Sequence, residues 1–267
     1  LGQGIRSEEE LPSLWQAYTD YFPIGAAVRY QSLKNHRALL EKHFNSITAE
    51  NEMKFSTLQP GEGTFAFFRA DEIVNFAKKN NMLVRGHTLV WHRQYPGWLF
   101  RDGAGKAAGE LVLQRLETHI NTVLSRYKGD VYCWDVVNEA VSDSMSEYLR
   151  RDSPWYQAVG EEYIAEAFRM AHRADPEAKL FYNDYGATRA DKMAKICFLL
   201  EELLAAGVPV HGMGMQGHWD VFSPPATEIE TAIRRYAALG LEVQITELDI
   251  SLFRWGDKRK FITDPEE

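Results

Sequence analysis

The sequence predicts a (β/α)8 barrel, an α/β fold, with the eighth strand apparently missing from the chain. Three observations predict it. Strand-like and helix-like segments alternate from end to end, which is the pattern of a parallel sheet with right-handed crossovers. Most of the strand-like segments are short and continuously apolar, as strands covered on both faces are. The chain has 267 residues, the size of one such barrel, with no composition break to divide it. Residues 1–267 are therefore expected to form a single barrel domain, apparently truncated at its C-terminal end, because only seven strands can be counted.

The strand candidates are residues 22–28, 46–49, 83–89, 131–137, 179–183, 212–216 and 241–246. Between them lie amphipathic helices. Over residues 187–206, Met193, Ile196, Cys197, Leu200, Leu203 and Leu204 recur at helical spacing. Thr188 with Asp191 reads as a capping box, and Gly207 as the stop. Thr227 with Glu230 opens the next helix and Gly240 ends it; Ser153-Pro154 opens another and Asp175-Pro176 closes it. An open dinucleotide-binding sheet is disfavoured, because Gly212-Met-Gly-Met-Gln-Gly has the wrong spacing and continuation for a phosphate-binding turn. The segment 255–267 is charged and reads as a loop.

A net charge of −8 argues against nucleic acid or an anionic membrane as the main partner, since both select basic surfaces. No apolar stretch reaches the length of a membrane span. The start, Leu1-Gly-Gln-Gly-Ile-Arg, lacks a secretion signal, which a mature secreted protein would lack as well; a cytoplasmic location is favoured over a mature secreted one. Cys133 and Cys197 read as buried free thiols, and without a Cys-x-x-Cys pair no cysteine metal site is expected. Oligomeric state is not legible.

Barrel enzymes carry their chemistry at the C-terminal ends of the strands. Read in order, these ends are polar and rich in tryptophan: Glu50-Asn-Glu-Met-Lys54, His87-Thr-Leu-Val-Trp91-His-Arg-Gln94, Asn138-Glu139, Asn183-Asp-Tyr185, Gln216-Gly-His218-Trp and Glu247-Leu-Asp249. One polar strand end is a solvated loop; six in succession are a site. Two carboxylates on rigid strand ends, Glu139 and Glu247, are what acid-assisted cleavage of a glycosidic bond requires. One carries a proton and the other stays charged, and neither needs a cofactor or a metal.

The runs Ile47-Thr-Ala-Glu-Asn-Glu-Met-Lys, Gly86-His-Thr-Leu-Val-Trp-His, Trp134-Asp-Val-Val-Asn-Glu-Ala, Met215-Gln-Gly-His and Ile245-Thr-Glu-Leu-Asp resemble glycoside hydrolase family 10, which consists mainly of endo-1,4-β-xylanases. The likeness runs in order from about residue 11 to residue 253. The loop Ser251-Leu-Phe-Arg-Trp and the missing leader resemble its intracellular bacterial branch. The resemblance implies xylan or xylo-oligosaccharide as substrate, Glu139 as general acid/base and Glu247 as nucleophile of a retaining double displacement. It further implies that Glu50, Asn51 and Lys54 bind the sugar one step further from the cleavage point, that His87, Trp91 and Gln94 line the glycone side, and that Tyr185 and Gln216 lie near the reaction centre. Burial beside Trp134 or Trp91, with the negative charge of Glu247 nearby, would favour the proton on Glu139. The resemblance also implies His218 as the natural donor to Glu247, with Asp249 holding its other nitrogen. Asn138 is placed to meet the sugar 2-hydroxyl or to orient Glu139. Glu52 reads as surface charge or as support for its neighbours.

Two other chemistries use the same scaffold, and one reading is not catalytic. A metal-dependent hydrolase could draw on His87, His92 and His218, but such enzymes usually carry His-x-His at the end of the first strand, where this chain has Val28-Arg-Tyr30. A cellulase or mannanase would place acids on the same strands. A sugar-binding remnant, inactive without its eighth strand, has no physical need of both carboxylates.

Overall fold

The computed structural model describes residues 11–254 and 257. Seven strands form one sheet: β1 (Gly25–Val28), β2 (Ser46–Ala49), β3 (Leu83–Trp91), β4 (Cys133–Asn138), β5 (Lys179–Asp184), β6 (Gly212–Met215) and β7 (Glu242–Ile245). Each pairs in parallel with the next, in chain order. Helices α1 (Arg37–His43), α2 (Phe68–Lys79), α3 (Gly109–Tyr127), α4 (Glu162–Ala174), α5 (Ala190–Ala205) and α6 (Ala226–Ala237) fill the successive crossovers. The arrangement is that of a (β/α)8 barrel with seven of its strands among the described residues.

Apolar faces of these helices close over the sheet. Ile73 and Ala77 of α2, Leu116, Ile120 and Val123 of α3, Phe168 of α4, Leu200 of α5 and Tyr236 of α6 are all fully buried. β4, in the middle, is buried throughout, whereas the outer strands β1 and β7 are partly exposed. The apolar side chains Phe22, Ile245, Leu248 and Ile250 lie exposed near those two edges.

The sheet also encloses a polar centre. Arg85 of β3 is fully buried and pairs through two nitrogens with Asp135 of β4. Its third nitrogen reaches Cys133 Sγ at 3.3 Å and Gln244 Oε1 of β7 at 2.7 Å, and its guanidinium stacks 4.6 Å from the Phe181 ring of β5. Groups from three other strands converge on this cation, so the charge sits inside the barrel. Asp135 is held below its ordinary carboxylate value: burial alone would raise it, but the Arg85 charge and the His87 hydrogen bond prevail. Both cysteines are buried and free.

Several local expectations are corrected. The first strand starts at Gly25, not at residue 22, because Pro23 has no N–H for a ladder and Ile24 N bonds the Asn45 side chain instead. The third strand runs on to Trp91, past a shift in register between His87 and Val90. Thr188 and Asp191 form no capping box: α5 begins at Ala190 with Arg189 at the cap, and Asp191 pairs with Arg189 at 2.7 Å. Thr227 does not open α6, which begins one residue earlier behind Pro225; Glu230 pairs with Arg234. Ser153-Pro154 opens only a short helix, Pro154–Val159. It stops at Gly160, whose φ of 86° suits glycine, and α4 then runs to the expected close at Asp175. Gly207 and Gly240 do sit in left-handed stops. The segments 1–6 and 258–267, with Trp255 and Gly256, lie outside the described residues.

Candidate active site

β4 ends at Asn138, and Glu139 leaves the sheet in left-handed backbone with φ of 59°. β7 ends at Ile245, and Glu247 follows two residues on, its N–H donating to Gln216 O at 2.8 Å. Gln216 follows β6 directly and Asn183 is the penultimate residue of β5. The carboxylates thus stand at the same end of the sheet.

A hydrogen-bonded chain joins them. Gln216 Nε2 donates to Glu139 Oε1 at 3.0 Å and to Asn138 Oδ1 at 3.2 Å. Asn183 Nδ2 donates to Asn138 Oδ1 at 2.9 Å and to Glu247 Oε1 at 2.8 Å. With the Asn138 amide turned over, its oxygen would meet Trp91 Nε1 and its nitrogen the Asn183 carbonyl, but that nitrogen would then face two other amide nitrogens. The first orientation matches donors to acceptors. Thr246 Oγ1 donates to Asn183 Oδ1 at 2.7 Å, fixing the amide from its other side. Gly214 is required here by proximity: a methyl group on it would overlap the Asn183 carboxamide.

The two carboxylates have unlike surroundings. Glu139 is nearly enclosed, its side chain 12% exposed. Its donors are neutral: Gln216 on one oxygen and Trp91 Nε1 on the other at 2.8 Å. Trp134, the other tryptophan expected beside it, packs on the far side of the sheet against Tyr127 of α3. His92 Nδ1 lies 3.8 Å from Glu139 Oε2. Burial, and then the Arg150 charge, push His92 down to about 4, so it is neutral at pH 7.

Glu247 meets charge. His218 Nε2 lies 3.2 Å from its Oε2, and His218 Nδ1 is bonded to Asp249. The hydrogen bond to Glu247 first, opposed by burial and reinforced by Asp249, pushes His218 up to about 9. It is therefore cationic at pH 7. His87 Nδ1 lies 4.0 Å from Glu247 Oε1 and is held by Asp135 at 2.9 Å. Burial would raise Glu247, but the His218 hydrogen bond, the His87 charge and the Asn183 hydrogen bond outweigh it, so Glu247 is held below its ordinary value.

The remaining expected residues fall into two groups. Lys54 Nζ donates to Asn51 Oδ1 at 3.2 Å and lies 5.0 Å over the Trp91 ring. Burial lowers its pKa against the pull of Glu247, Glu50 and Glu139. Gln94 Nε2 contacts the same Asn51 oxygen at 3.4 Å. Glu50 is turned to Arg29, which binds it through two nitrogens at 2.8 and 2.6 Å. Tyr185 has its hydroxyl on Asp143 and accepts from Arg150 at 3.1 Å, both on the loop after β4. Arg150 links that loop to the site, since its Nε donates to Glu139 O at 3.2 Å.

Glu52 is not surface charge. It is buried and accepts from Tyr30 N at 2.7 Å and Asn51 N at 3.2 Å, pinning the strand-end loop that carries Asn51 and Lys54. Asn183, the hub between the carboxylates, was visible only as one member of the polar run ending β5. His92 was visible in the polar run ending the third strand and as a candidate ligand of the metal-dependent alternative, whereas Arg85 and Arg150 carried no local signal for a place at this site.

A family model described as glycosyl hydrolase family 10 matches residues 13–264. An endo-1,4-beta-xylanase B from Paenibacillus barcinonensis is 50% identical over 257 residues, which is 96% of this chain and 77% of that protein. A beta-1,4-xylanase from Dictyoglomus thermophilum is 50% identical over 97% of this chain and 72% of its own length. Among solved structures, a xylanase from Paenibacillus barcinonensis complexed with a conduramine derivative superposes with a TM-score of 0.93 at 50% identity, covering 96% of this chain and 77% of that one. A mutant of an intracellular xylanase from Thermoanaerobacterium saccharolyticum, complexed with xylotriose, gives 0.87 at 43% identity over 91% and 78%.

Proposed function

The chain belongs to glycosyl hydrolase family 10, and from that premise we propose how its site cleaves β-1,4 bonds. The chain is an endo-1,4-β-xylanase, a retaining glycoside hydrolase acting on xylan or xylo-oligosaccharides. Glu247 is the nucleophile and Glu139 the acid/base. The observation that carries this assignment is the contrast within one hydrogen-bonded chain: neutral donors on Glu139, a cationic imidazole on Glu247.

In the first step Glu247 attacks the anomeric carbon. The bond to the leaving sugar breaks, and Glu139 gives its proton to the departing oxygen. Asn183 and His218 hold Glu247 ionised and aimed, so that it arrives as a carboxylate. In the second step Glu139, now a carboxylate, takes a proton from water as that water attacks the same carbon and releases Glu247. Trp91 Nε1 and Gln216 Nε2 remain as donors to Glu139 in both charge states.

Asn138 suits the 2-hydroxyl beside the anomeric centre, and Lys54, Asn51 and Gln94 suit the next hydroxyls out. The exposed face of Trp91 suits the C–H surface of a sugar. Reducing-end release from xylan, carboxymethyl cellulose and mannan tests the reading: xylan should be cleaved at internal bonds and the others far more slowly. Preferential cleavage of carboxymethyl cellulose or mannan would replace xylanase by another retaining glycanase.

A further inference from the structure

We propose that Tyr182 is a positioning residue for the acid/base carboxylate, holding Glu139 in its left-handed backbone from behind the sheet. The proposal rests on the reading of Glu139 as the proton carrier. A non-glycine residue with φ near 59° sits in an unfavourable region and stays there only if its surroundings hold it. Glu139 N donates to Asn183 O at 2.9 Å, which fixes the start of the turn. The next two amides, Ala140 N and Val141 N, both donate to Tyr182 Oη, each at 3.1 Å.

One phenol oxygen thus anchors two consecutive amides immediately after the acid/base. It can do so only if its own proton points elsewhere, because a phenol has one proton and two lone pairs. That proton goes to Asp184 Oδ2 at 2.5 Å. The other Asp184 oxygen accepts from Lys192 Nζ and from Tyr185 N, both at 2.9 Å. Lys192 supplies the charge that keeps Asp184 an acceptor, and Asp184 keeps the phenol turned with both lone pairs toward the strained turn.

This relay does not face the sugar. Side chains alternate across a strand, so Tyr182 and Asp184 point away from Asn183, toward α5, which carries Lys192. Tyr182, Asp184 and Lys192 are at most 1% exposed. Their hydrogen bonds reach Glu139 through the backbone that sets its side chain between Trp91 and Gln216, and Asp184 also feels the Glu139 charge.

The test is Tyr182→Phe, read as kcat/KM on phenyl xylobioside and on 2,4-dinitrophenyl xylobioside. Phenolate is a poor leaving group and needs the proton; dinitrophenolate does not. A displaced acid should cost about tenfold to a hundredfold on the first substrate and less than about threefold on the second. The ratio of the two values does not depend on how much of the variant is folded. Equal losses on both substrates would overturn the proposal. If Tyr182→Phe does not accumulate, Asp184→Asn, which keeps the volume and frees the phenol to turn, is read in the same way. A crystal structure of either variant reports without turnover: Glu139 should have left Trp91 Nε1, and an unmoved Glu139 would refute the proposal. If the unsubstituted chain cleaves neither xylobioside, the functional reading fails instead, and the crystal structure still decides the role of Tyr182.

Discussion

Replacing His218 with alanine isolates the electrostatics of the nucleophile. His218 Nε2 stands 3.2 Å from Glu247, and the hydrogen bond between them is the leading cause of its displacement from 6.5 to about 9. At about 1.36 kcal/mol per unit, that displacement corresponds to about 3 kcal/mol of preference for imidazolium beside the carboxylates. The imidazole is 41% exposed, however, and solvent-exposed ion pairs retain only about 0.2–1 kcal/mol in double-mutant cycles. About 1 kcal/mol is therefore the part that reaches Glu247, roughly a fivefold change in its ionised fraction on the acid side.

The direction follows from the two shifts. A lowered Glu247 keeps its charge as pH falls, and a cationic His218 is part of what lowers it. Without that cation, Glu247 takes up its proton at higher pH, and activity falls earlier on acidification. The assay is kcat/KM against pH on 4-nitrophenyl xylobioside. Loss of a sugar contact would lower the whole profile, whereas loss of the cation moves the acidic limb upward. An acidic limb that stays in place, or moves down, would refute the reasoning.

Four further outcomes are expected. Glu247→Ala should abolish turnover on activated and natural substrates alike, while Glu139→Ala should cost about 10²–10⁴-fold in kcat/KM on xylan and far less on the dinitrophenyl substrate; steady-state kinetics on the pair of substrates checks both. Arg85→Met leaves Asp135 buried without its cation and should cost about 3–5 kcal/mol in urea denaturation, since breaking a buried pair strands the remaining charge. A chelator should leave xylan cleavage unchanged in a reducing-sugar assay, because the reaction proposed runs on side-chain acids alone.

The site was legible wherever one strand end carries its own chemistry. Glu139 and Glu247 follow apolar runs, and a barrel of parallel strands gathers its reacting groups at the C-terminal strand ends. His218 could be paired with Glu247 and Asp249 because the resemblance to the family implied it, and the geometry agrees. What stayed hidden depends on which strands become neighbours. Arg85 and Asp135 lie 50 residues apart in runs that read as apolar, and only the pairing of β3 with β4 brings them together. Asn183 looked like any polar strand end until β4 and β6 were placed on either side of it and the segment after β7 reached it. Glu52 read as surface charge or as support for its neighbours, and the choice was hidden because the amides it caps, on Tyr30 and Asn51, reach it only once β1 and β2 lie side by side. Helix starts misread at Thr188 and Thr227 share a cause: the acid three residues on was taken by a nearby arginine.

The central claim is that Glu247 forms a bond to sugar while Glu139 carries the proton. Incubation with an activated 2-deoxy-2-fluoroxylobioside, followed by peptide mapping in a mass spectrometer, tests it most directly. Fluorine at that position slows release of the glycosyl-enzyme, so the account predicts one fluoroxylobiosyl group attached at Glu247. Attachment at Glu139, or turnover of xylobiosides with inverted configuration and no adduct, would contradict it.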